Sequence, residues 1–399
     1  MIAVRVAVAQ PAVRPAPQLL AVVLVSSFDR FAVSSMLVLI AVAQRVPLSS
    51  VVVLAGGYFL AYGLSQPLWG LLSDRYGRVR VLRVALLGAA VAGTVSALAP
   101  TLSVLIGARV VAGACFGAVL PTSITYVGDT VDSGNRQRTL SDIIAVTAVG
   151  TALATGLAGV TAELLDWRVV FAGPALAALA GAYAVGRLPE PARPPVVSPR
   201  AQLGSVLRNR WAVLVFALAC TEGAVLLGVM TFLATGLQAH GSSAAIAGSA
   251  TAAYGLGVLG LSRLVRILTR RLPVTALMGI GGAQMCLGYV VAALRVDPLT
   301  VTVTALLLGG GWAFLHSSLQ TWSTEVDPAA RGTVVSLFAG ALFLGSAAAT
   351  AIAAPAAQYG HYTVLFAGAA LLTVPLTVLS VLGRRRWQRR NQGECGVVS

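Results

Sequence analysis

The pattern of apolar positions divides the chain into twelve long hydrophobic runs separated by short polar segments. A membrane-spanning helix needs about 20 mostly apolar residues, within a range of about 17 to 25, and the runs fit that length. They are continuous and lack the alternation over about 10 residues that membrane β-strands show, so they predict helices. We place the spans near residues 19–43, 51–72, 81–98, 102–127, 140–160, 169–185, 211–236, 244–264, 274–294, 299–322, 333–356 and 362–382.

One polar segment, residues 188–210, contains five prolines and interrupts the hydrophobic pattern for longer than any other. It is the only convincing linker and separates two sets of six spans. The predicted organisation is an amino-terminal tail (1–18), a six-helix bundle (19–187), the linker (188–210), a second six-helix bundle (211–383) and a basic tail (384–399).

The two halves also repeat each other. A shift of 195 residues brings these positions together: Val131-Asp132 with Val326-Asp327, Arg136 with Arg331, Ser141 with Ser336, and Gly150 with Gly345. A shift of 192 aligns residues 61–64 with residues 253–256, both Ala-Tyr-Gly-Leu. Parallel repeats of this kind place a substrate site near the bilayer midplane, where the halves meet and can rock against each other.

Composition excludes a water-soluble globule, since 57% of the residues are hydrophobic and only 10% are charged, against roughly 25% charged in ordinary soluble domains. All 28 basic residues are Arg, and the absence of Lys removes the P-loop and Schiff-base chemistries. Three of the four cysteines lie in apolar runs and the fourth in the tail, so no metal spacing is visible. We expect no enzyme activity, no cofactor and no metal.

The arginines are distributed unevenly about the predicted spans. With the amino terminus in the cytoplasm, 23 of them lie on that side and three, Arg45, Arg168 and Arg295, on the other. This imbalance predicts that both termini are cytoplasmic and that anionic lipid head groups are partners. No basic patch with interleaved aromatic residues suggests nucleic acid. The Arg-only composition favours a GC-rich bacterium and its cytoplasmic membrane, and we expect a monomer.

The segment Gly70-Leu-Leu-Ser-Asp-Arg-Tyr-Gly-Arg-Val-Arg80, expected to form the loop after the second span, resembles the G-x-L-x-D-R-x-G-R-x-R signature of the major facilitator superfamily. The resemblance covers nearly the whole chain. It implies an all-α membrane protein of twelve transmembrane helices in two pseudo-symmetric six-helix bundles, working by alternating access. The motif residues assigned to a gate are Gly70, Asp74, Arg75, Gly77 and Arg78. Gly70 and Asp74 share a helix face, where the glycine would admit a neighbouring helix and the aspartate would cap that helix or pair with an arginine.

In the fourth span, Arg109 and Gly113 resemble the family's R-x-x-x-G signature, with Ala112 where many members have Gln. A buried Arg costs about 2.5 to 3.5 kcal/mol on insertion scales and should face a partner or water. The resemblance implies proton coupling for Arg109, while a structural ion pair stays open. In the fifth span, Ala154-Thr155 stands where antiporters of the family carry Gly-Pro, which weakens the case for export.

Two carboxylates, Asp29 and Glu222, lie deep in apolar spans and are 193 residues apart, in equivalent places of the two halves. A buried carboxylate can change its protonation as access alternates. One hypothesis makes either residue the proton or cationic-substrate site. The other is a static ion pair with Arg109 or with Arg30, although Arg30 cannot reach Asp29 through adjacency because helix neighbours point about 100° apart.

Two side-chain stripes at i, i+4, i+8 spacing are predicted to line the cavity; they are Tyr58, Tyr62 and Gln66 in the second span, and Trp312, His316 and Gln320 in the tenth. An aromatic wall with few polar groups suits an amphipathic solute. His316 has a side chain that titrates near neutrality, and a role in proton relay or in packing stays open.

These features predict proton-coupled efflux of a small amphipathic molecule, drug or metabolite. Proton-coupled uptake of a sugar or organic acid on the same scaffold is the alternative, and a membrane sensor without flux is a second. An intramembrane enzyme would need clustered acids, whereas Asp129 and Asp132 look isolated in the sequence.

Overall fold

The computed structural model describes residues 17–191 and 199–395, and it contains the twelve predicted spans. Within that part of the chain there is no β-strand, so the all-α class is confirmed. The spanning helices are α1 Pro17–Ser35, α2 Leu48–Tyr76, α3 Arg78–Leu98, α4 Leu102–Thr130, α5 Gly134–Leu164, α6 Trp167–Val185, α7 Arg210–Ala239, α8 Ala244–Leu268, α9 Val274–Leu294, α10 Pro298–Glu325, α11 Arg331–Gln358 and α12 Tyr362–Arg390.

Several helices carry internal irregularities. The first ends in a 3₁₀ turn, Val33–Ser35, and its path continues in the short helix Leu37–Gln44. Single π-helical turns widen α7 at Ala224–Val229 and α10 at Trp312–His316. Such π turns are rare and occur frequently at functional sites.

The helices extend beyond the predicted spans at several points where hydropathy predicted loops or tails. The segment from Gly70 to Arg80 is not a loop, because α2 continues to Tyr76 and α3 begins at Arg78, leaving Gly77 between them with a φ of 104°. Similarly, α12 continues to Cys395 through the predicted basic tail, and the linker contains the helix Pro199–Arg208. Polar residues lower the hydropathy at these points without interrupting the backbone hydrogen bonds. The remaining parts of both tails (1–16 and 396–399) and residues 192–198 of the linker lie outside the described residues.

Polar caps explain where many of the helices begin. Side-chain oxygens accept hydrogen bonds from backbone N–H groups of the first turn at Thr101, Asp132, Asp166, Asn209, Ser243 and Asp297. Hydrogen bonds from Asn135 also hold the pKa of Asp132 below its usual range. The first N–H groups of a helix have no intrahelical partner, and each of these caps satisfies one of them.

Within each half, glycine allows two helices to cross in backbone contact. A Cβ added at Gly150 of α5 would press on the backbone of α1 at Leu24, and one added at Gly345 of α11 would overlap the carbonyl oxygen of Cys220 in α7. The two glycines are the pair that the 195-residue shift aligns. The α1–α5 and α7–α11 crossings are therefore equivalent, as two pseudo-symmetric six-helix bundles require.

The two bundles meet along α2 with α11 and α5 with α8. Gly56 packs against Thr350, and Gly248 packs against the backbone of Thr155. Gly248 follows Gly56 by 192 residues and Thr350 follows Thr155 by 195, so both sequence shifts reappear in one pair of symmetric contacts. Small residues permit this close approach, which is how helices associate in membranes.

The hydrogen bonds, ring contacts and glycine contacts found between the bundles, among the described residues, lie between the middle of the helices and one end. We call that end the far end and the other, where the linker attaches, the linker end. At the far end Ser49 N donates to Gln358 Oε1 (3.0 Å), and Ala245 N donates to Glu163 Oε2 (2.7 Å). Near the middle, Gly63 abuts Phe343. The bundles are thus joined at the far end in this conformation.

The glycine crossings yield a stability prediction. Gly345→Ala should lower the free energy of unfolding by about 1 to 3 kcal/mol, because the methyl group overfills a backbone contact. Gly368→Ala is the matched control, since nothing lies within 4 Å of a Cβ there and alanine favours a helix. The thermal midpoint of the purified protein in detergent is the measurement. Equal midpoints for the two variants would contradict the packing assigned to Gly345.

Candidate functional site

The first buried ion pair joins α1 to α4. Arg109 donates from Nη1 and Nη2 to the two carboxylate oxygens of Asp29 (2.9 and 2.8 Å), and Nη2 also donates to the Asp29 carbonyl (3.1 Å). Asp29 is 1% exposed and Arg109 0%, and the guanidinium lies over the rings of Tyr58 and Phe171. A bidentate pair of this kind fixes geometry as well as charge. The partner of Asp29 is therefore Arg109, and the pairing with Arg30 is not formed.

The second buried pair lies in the other bundle and joins α7 to α10. His316 Nδ1 lies 3.0 Å from Glu222 Oε2, and Glu222 is 0% exposed. Its other oxygen, Oε1, has no hydrogen-bond partner among the described residues. The Trp312 ring stacks on the imidazole with centroids 3.7 Å apart, and both residues lie in the π-helical turn of α10. Sequence reasoning named Glu222 and His316 separately, and the structure brings them together.

A third charged group, Arg30, points away from Asp29. Its Nη1 donates to the hydroxyl of Tyr62 (3.2 Å), and its guanidinium lies over the rings of Phe31 (4.8 Å) and Tyr62 (5.1 Å). Within the described chain, it forms no salt bridge, and its Nε has no hydrogen-bond partner. Arg30 is a buried cation held by aromatic rings.

A small cavity of about 20 Å³ lies between the bundles next to Arg30. Its lining includes Phe31 of α1, Phe59 of α2, Met230 of α7 and Tyr254 of α8. Residues of both halves therefore enclose it, at the level where the bundles meet. Sequence reasoning missed Phe59 and Tyr254, although Tyr254 belongs to the repeated Ala-Tyr-Gly-Leu segment.

The two predicted stripes do not line this cavity. Tyr58, Tyr62 and Gln66 are buried in α2, where Tyr58 and Tyr62 stack and face the arginines. In α10, Trp312 covers His316 and Gln320 is exposed. The spacing correctly groups side chains on one helix face, but it contains no information on which neighbour that face contacts.

The gate motif is engaged within its own bundle. Arg78 forms an ion pair with Asp74, donates from Nε to Asp129 Oδ2 (3.0 Å) and donates from Nη1 to Ser73 Oγ (3.0 Å). The sequence context suggested that Asp129 is isolated, but it pairs with Arg78 because the end of α4 lies next to the start of α3.

The remaining motif residues correct and extend the prediction. Nothing lies within 4 Å of a Cβ added at Gly70, so the expected close approach of a helix is not present in this conformation. Arg75 is exposed and lies over the Tyr76 ring (5.4 Å). At Gly77 any side chain would strain the backbone and meet the carboxylate of Glu190. Gly77 is thus required for its backbone conformation.

Glu190, at the start of the linker, was missed by sequence reasoning. Its carboxylate oxygens accept hydrogen bonds from the backbone N–H groups of Val79 and Arg80 (3.2 Å each). The hydroxyl of Tyr126 donates to the carbonyl of Pro189 (3.1 Å). The start of the linker therefore caps α3 and is held against the gate motif. The only signal in the sequence is one acid among prolines.

The second bundle has a related ion pair at the linker end. Glu325, at the end of α10, pairs with Arg384 of α12 (2.6 Å), and it follows Asp129 by 196 residues. The second bundle thus keeps the acid at the end of its fourth helix but takes the arginine from its sixth. Aligning the α8–α9 segment with the gate motif of α2–α3 does not reveal this pair, because its two residues lie on α10 and α12.

Comparisons with known proteins agree with this architecture. A family model described as the Major Facilitator Superfamily matches residues 19–350. The class C tetracycline resistance protein of Escherichia coli is 27% identical, over 84% of this chain and 87% of that protein. The triacylglyceride transporter of Mycobacteroides abscessus is 32% identical over 154 residues, which span 37% of this chain and 30% of that protein.

Solved structures share the whole fold. An inward-facing, unoccupied bacterial homologue of the human lysosomal transporter Spinster has a TM-score of 0.74 at 16% identity, over 94% of this chain and 97% of that one. A nucleoside transporter has a TM-score of 0.74 at 15% identity, over 92% of this chain and 99% of that one.

The buried pair in the first bundle can be tested by a double-mutant cycle. Asp29→Asn and Arg109→Gln should each lower the free energy of unfolding by about 3 to 5 kcal/mol, because each leaves one buried charge unpaired. The double variant should lose less than the sum of the two, since neither charge remains. Thermal unfolding of the four purified proteins is the measurement. Additive losses would show that the two side chains do not act as a pair.

Proposed function

The chain belongs to the Major Facilitator Superfamily of membrane transporters, and from that premise we propose that it exports a small amphipathic molecule in exchange for protons. The chain is a multi-pass membrane protein and not an enzyme. The observation that carries the proton-coupling proposal is the contact between Glu222 and His316, two titratable groups buried mid-membrane in one hydrogen-bonded pair.

Glu222 and His316 suit proton exchange better than Asp29 and Arg109 do. A guanidinium stays charged in proteins, so a proton on Asp29 would leave Arg109 as an unpaired buried cation. By contrast, both partners of the Glu222–His316 pair can gain or lose a proton, and the unpartnered Oε1 of Glu222 leaves an acceptor for one. We therefore assign proton exchange to Glu222 and His316, and the role of a fixed clamp between α1 and α4 to Asp29 and Arg109.

Alternating access would follow from the two ends of the bundles. The far end is joined by direct contacts such as Ser49 with Gln358, whereas nothing lies within 4 Å of a Cβ added at Gly70, near the linker end of α2. We propose that closure of the linker end brings a helix onto Gly70, whose small size would then be needed, while the far-end contacts separate. The arginine distribution supports a cytoplasmic linker end and cytoplasmic termini.

Export is supported by the similarity to a tetracycline resistance protein over most of both chains. Ala154-Thr155, which stands where antiporters of the family carry Gly-Pro, does not support export. The alternative is therefore uptake of a sugar or organic acid together with protons. A sensor would give no flux at all. We place the protein in the cytoplasmic membrane of a bacterium, as a monomer contacting anionic lipid head groups.

Proton coupling is tested in proteoliposomes with an imposed pH gradient. The substrate is a compound that raises the thermal midpoint of the purified protein in a library screen. Glu222→Gln should reduce gradient-driven accumulation at least tenfold, because the variant cannot exchange a proton. It should still exchange substrate across the membrane, because it still binds substrate. His316→Gln should shift the pH dependence of transport.

The matched control is Asp142→Asn, which removes one negative charge from an exposed position and should transport as the wild type does. Full pH-driven accumulation by Glu222→Gln would refute the assignment to this pair. Accumulation on the side opposite to that expected for an exporter would establish uptake, and absence of wild-type flux with every stabilising compound would favour a sensor.

A further inference from the structure

The buried charge of Arg30 is not explained by the proton pathway. The side chain is 8% exposed at the level where the two bundles meet, and no carboxylate of the described chain lies within ion-pair distance. Arg109, by comparison, has two carboxylate contacts and a carbonyl. A permanently charged group at this depth needs an anion, water or another polar partner to offset its burial.

The protein surrounds Arg30 with aromatic rings and one hydroxyl. The hydroxyl of Tyr62 accepts its only hydrogen bond to the described chain, and the rings of Phe31, Tyr62 and Phe343 lie 4.8, 5.1 and 5.9 Å from the guanidinium carbon. Ring faces attract a cation, but they do not neutralise it. The Nε donor remains unpartnered, so the guanidinium retains capacity for a ligand.

The cavity beside Arg30 indicates what kind of ligand fits. Thr231 and Thr251 line it, but their hydroxyls donate to carbonyls of their own helices, at Leu227 and Ala247. Arg30 is therefore the charged donor of this cavity. A volume of about 20 Å³ holds about one water, which with small side-chain shifts gives room for a carboxylate head group beside Arg30. The apolar part of a ligand needs the two bundles to separate further at this level.

We propose that Arg30 anchors a carboxylate-binding subsite and that the transported molecule is an amphipathic organic anion. The carboxylate accepts from the Arg30 guanidinium, and the apolar part lies against Phe31, Phe59 and Tyr254. Because these side chains come from α1, α2 and α8, the bound anion contacts both bundles. The inference rests on the proposed transport function and names its substrate class. It also replaces the cationic-substrate hypothesis for Asp29 and Glu222, because Arg109 already pairs with the carboxylate of Asp29 and His316 contacts that of Glu222.

The test compares three probes of nearly equal shape: cyclohexanecarboxylate, cyclohexanecarboxamide and cyclohexylmethylammonium. With purified full-length protein in detergent, the carboxylate should raise the thermal midpoint by about 2 to 4 °C at saturating millimolar concentration, and the amide and the ammonium should not. Arg30→Gln should abolish the shift, and Arg30→Lys should keep part of it. Arg45→Gln, the same change at an exposed site, should leave the shift unchanged.

The proposal fails if the amide or the ammonium stabilises the wild type as much as the carboxylate does, if none of the three does, or if Arg30→Gln retains the shift. If Arg30→Gln does not fold, the reduced shift in Arg30→Lys decides. Failure of this inference is distinguishable from failure of the transport proposal. Wild-type pH-driven flux of a neutral or cationic compound would refute only the subsite, whereas a carboxylate shift through Arg30 without any flux would refute only transport.

Discussion

The constraint on which this structure depends is the cost of placing charge inside a membrane protein. Asp29, Arg30, Arg109 and Glu222 all lie in the membrane-spanning core, where each needs a partner within the chain or a ligand. Three of these needs are met by two pairs that join helices inside a bundle, Asp29 with Arg109 and Glu222 with His316. The remaining cation, Arg30, lies where the bundles meet and is left to aromatic rings and the Tyr62 hydroxyl. On our proposal, stability thus comes from the pairs within the bundles, and binding takes place at the boundary between them.

The small residues allow this division. Gly150 and Gly345 fix α1 on α5 and α7 on α11, which sets the positions of the helices that carry Asp29 and Glu222. The contacts of Gly56 and Gly248 join the bundles without a large interlocking side chain. Packing of this kind can separate and reform as rigid bodies move, because glycine loses no side-chain contacts of its own. The same residue type therefore makes the interior of each bundle firm and its boundary separable.

The sequence predicts more of the fold than of the site. Continuous apolar runs and repeat shifts depend on composition and register, so the twelve spans and the two repeated halves could be predicted. Partner choice depends on the rotation of each helix about its axis, which spacing leaves open. Arg109 rather than Arg30 pairs with Asp29 for that reason, and Phe59 rather than Tyr58 lines the cavity. Glu190 was missed because a long-range cap of α3 leaves no periodic signal.

The charge on Arg30 also separates binding from coupling. A guanidinium remains charged at any physiological pH, so Arg30 presents the same attraction for an anion whether or not the Glu222–His316 pair has gained a proton. A proton added to that pair makes the region between the bundles more positive and strengthens anion binding, which favours movement of proton and anion together. Exchange of proton for anion requires instead that the protein bind the anion when the Glu222–His316 pair carries no added proton. Arg30 permits this because its charge does not depend on that proton. In the transport cycle that we propose, the Glu222–His316 pair would therefore decide whether proton and anion move together or in exchange, and Arg30 would decide which substrates bind.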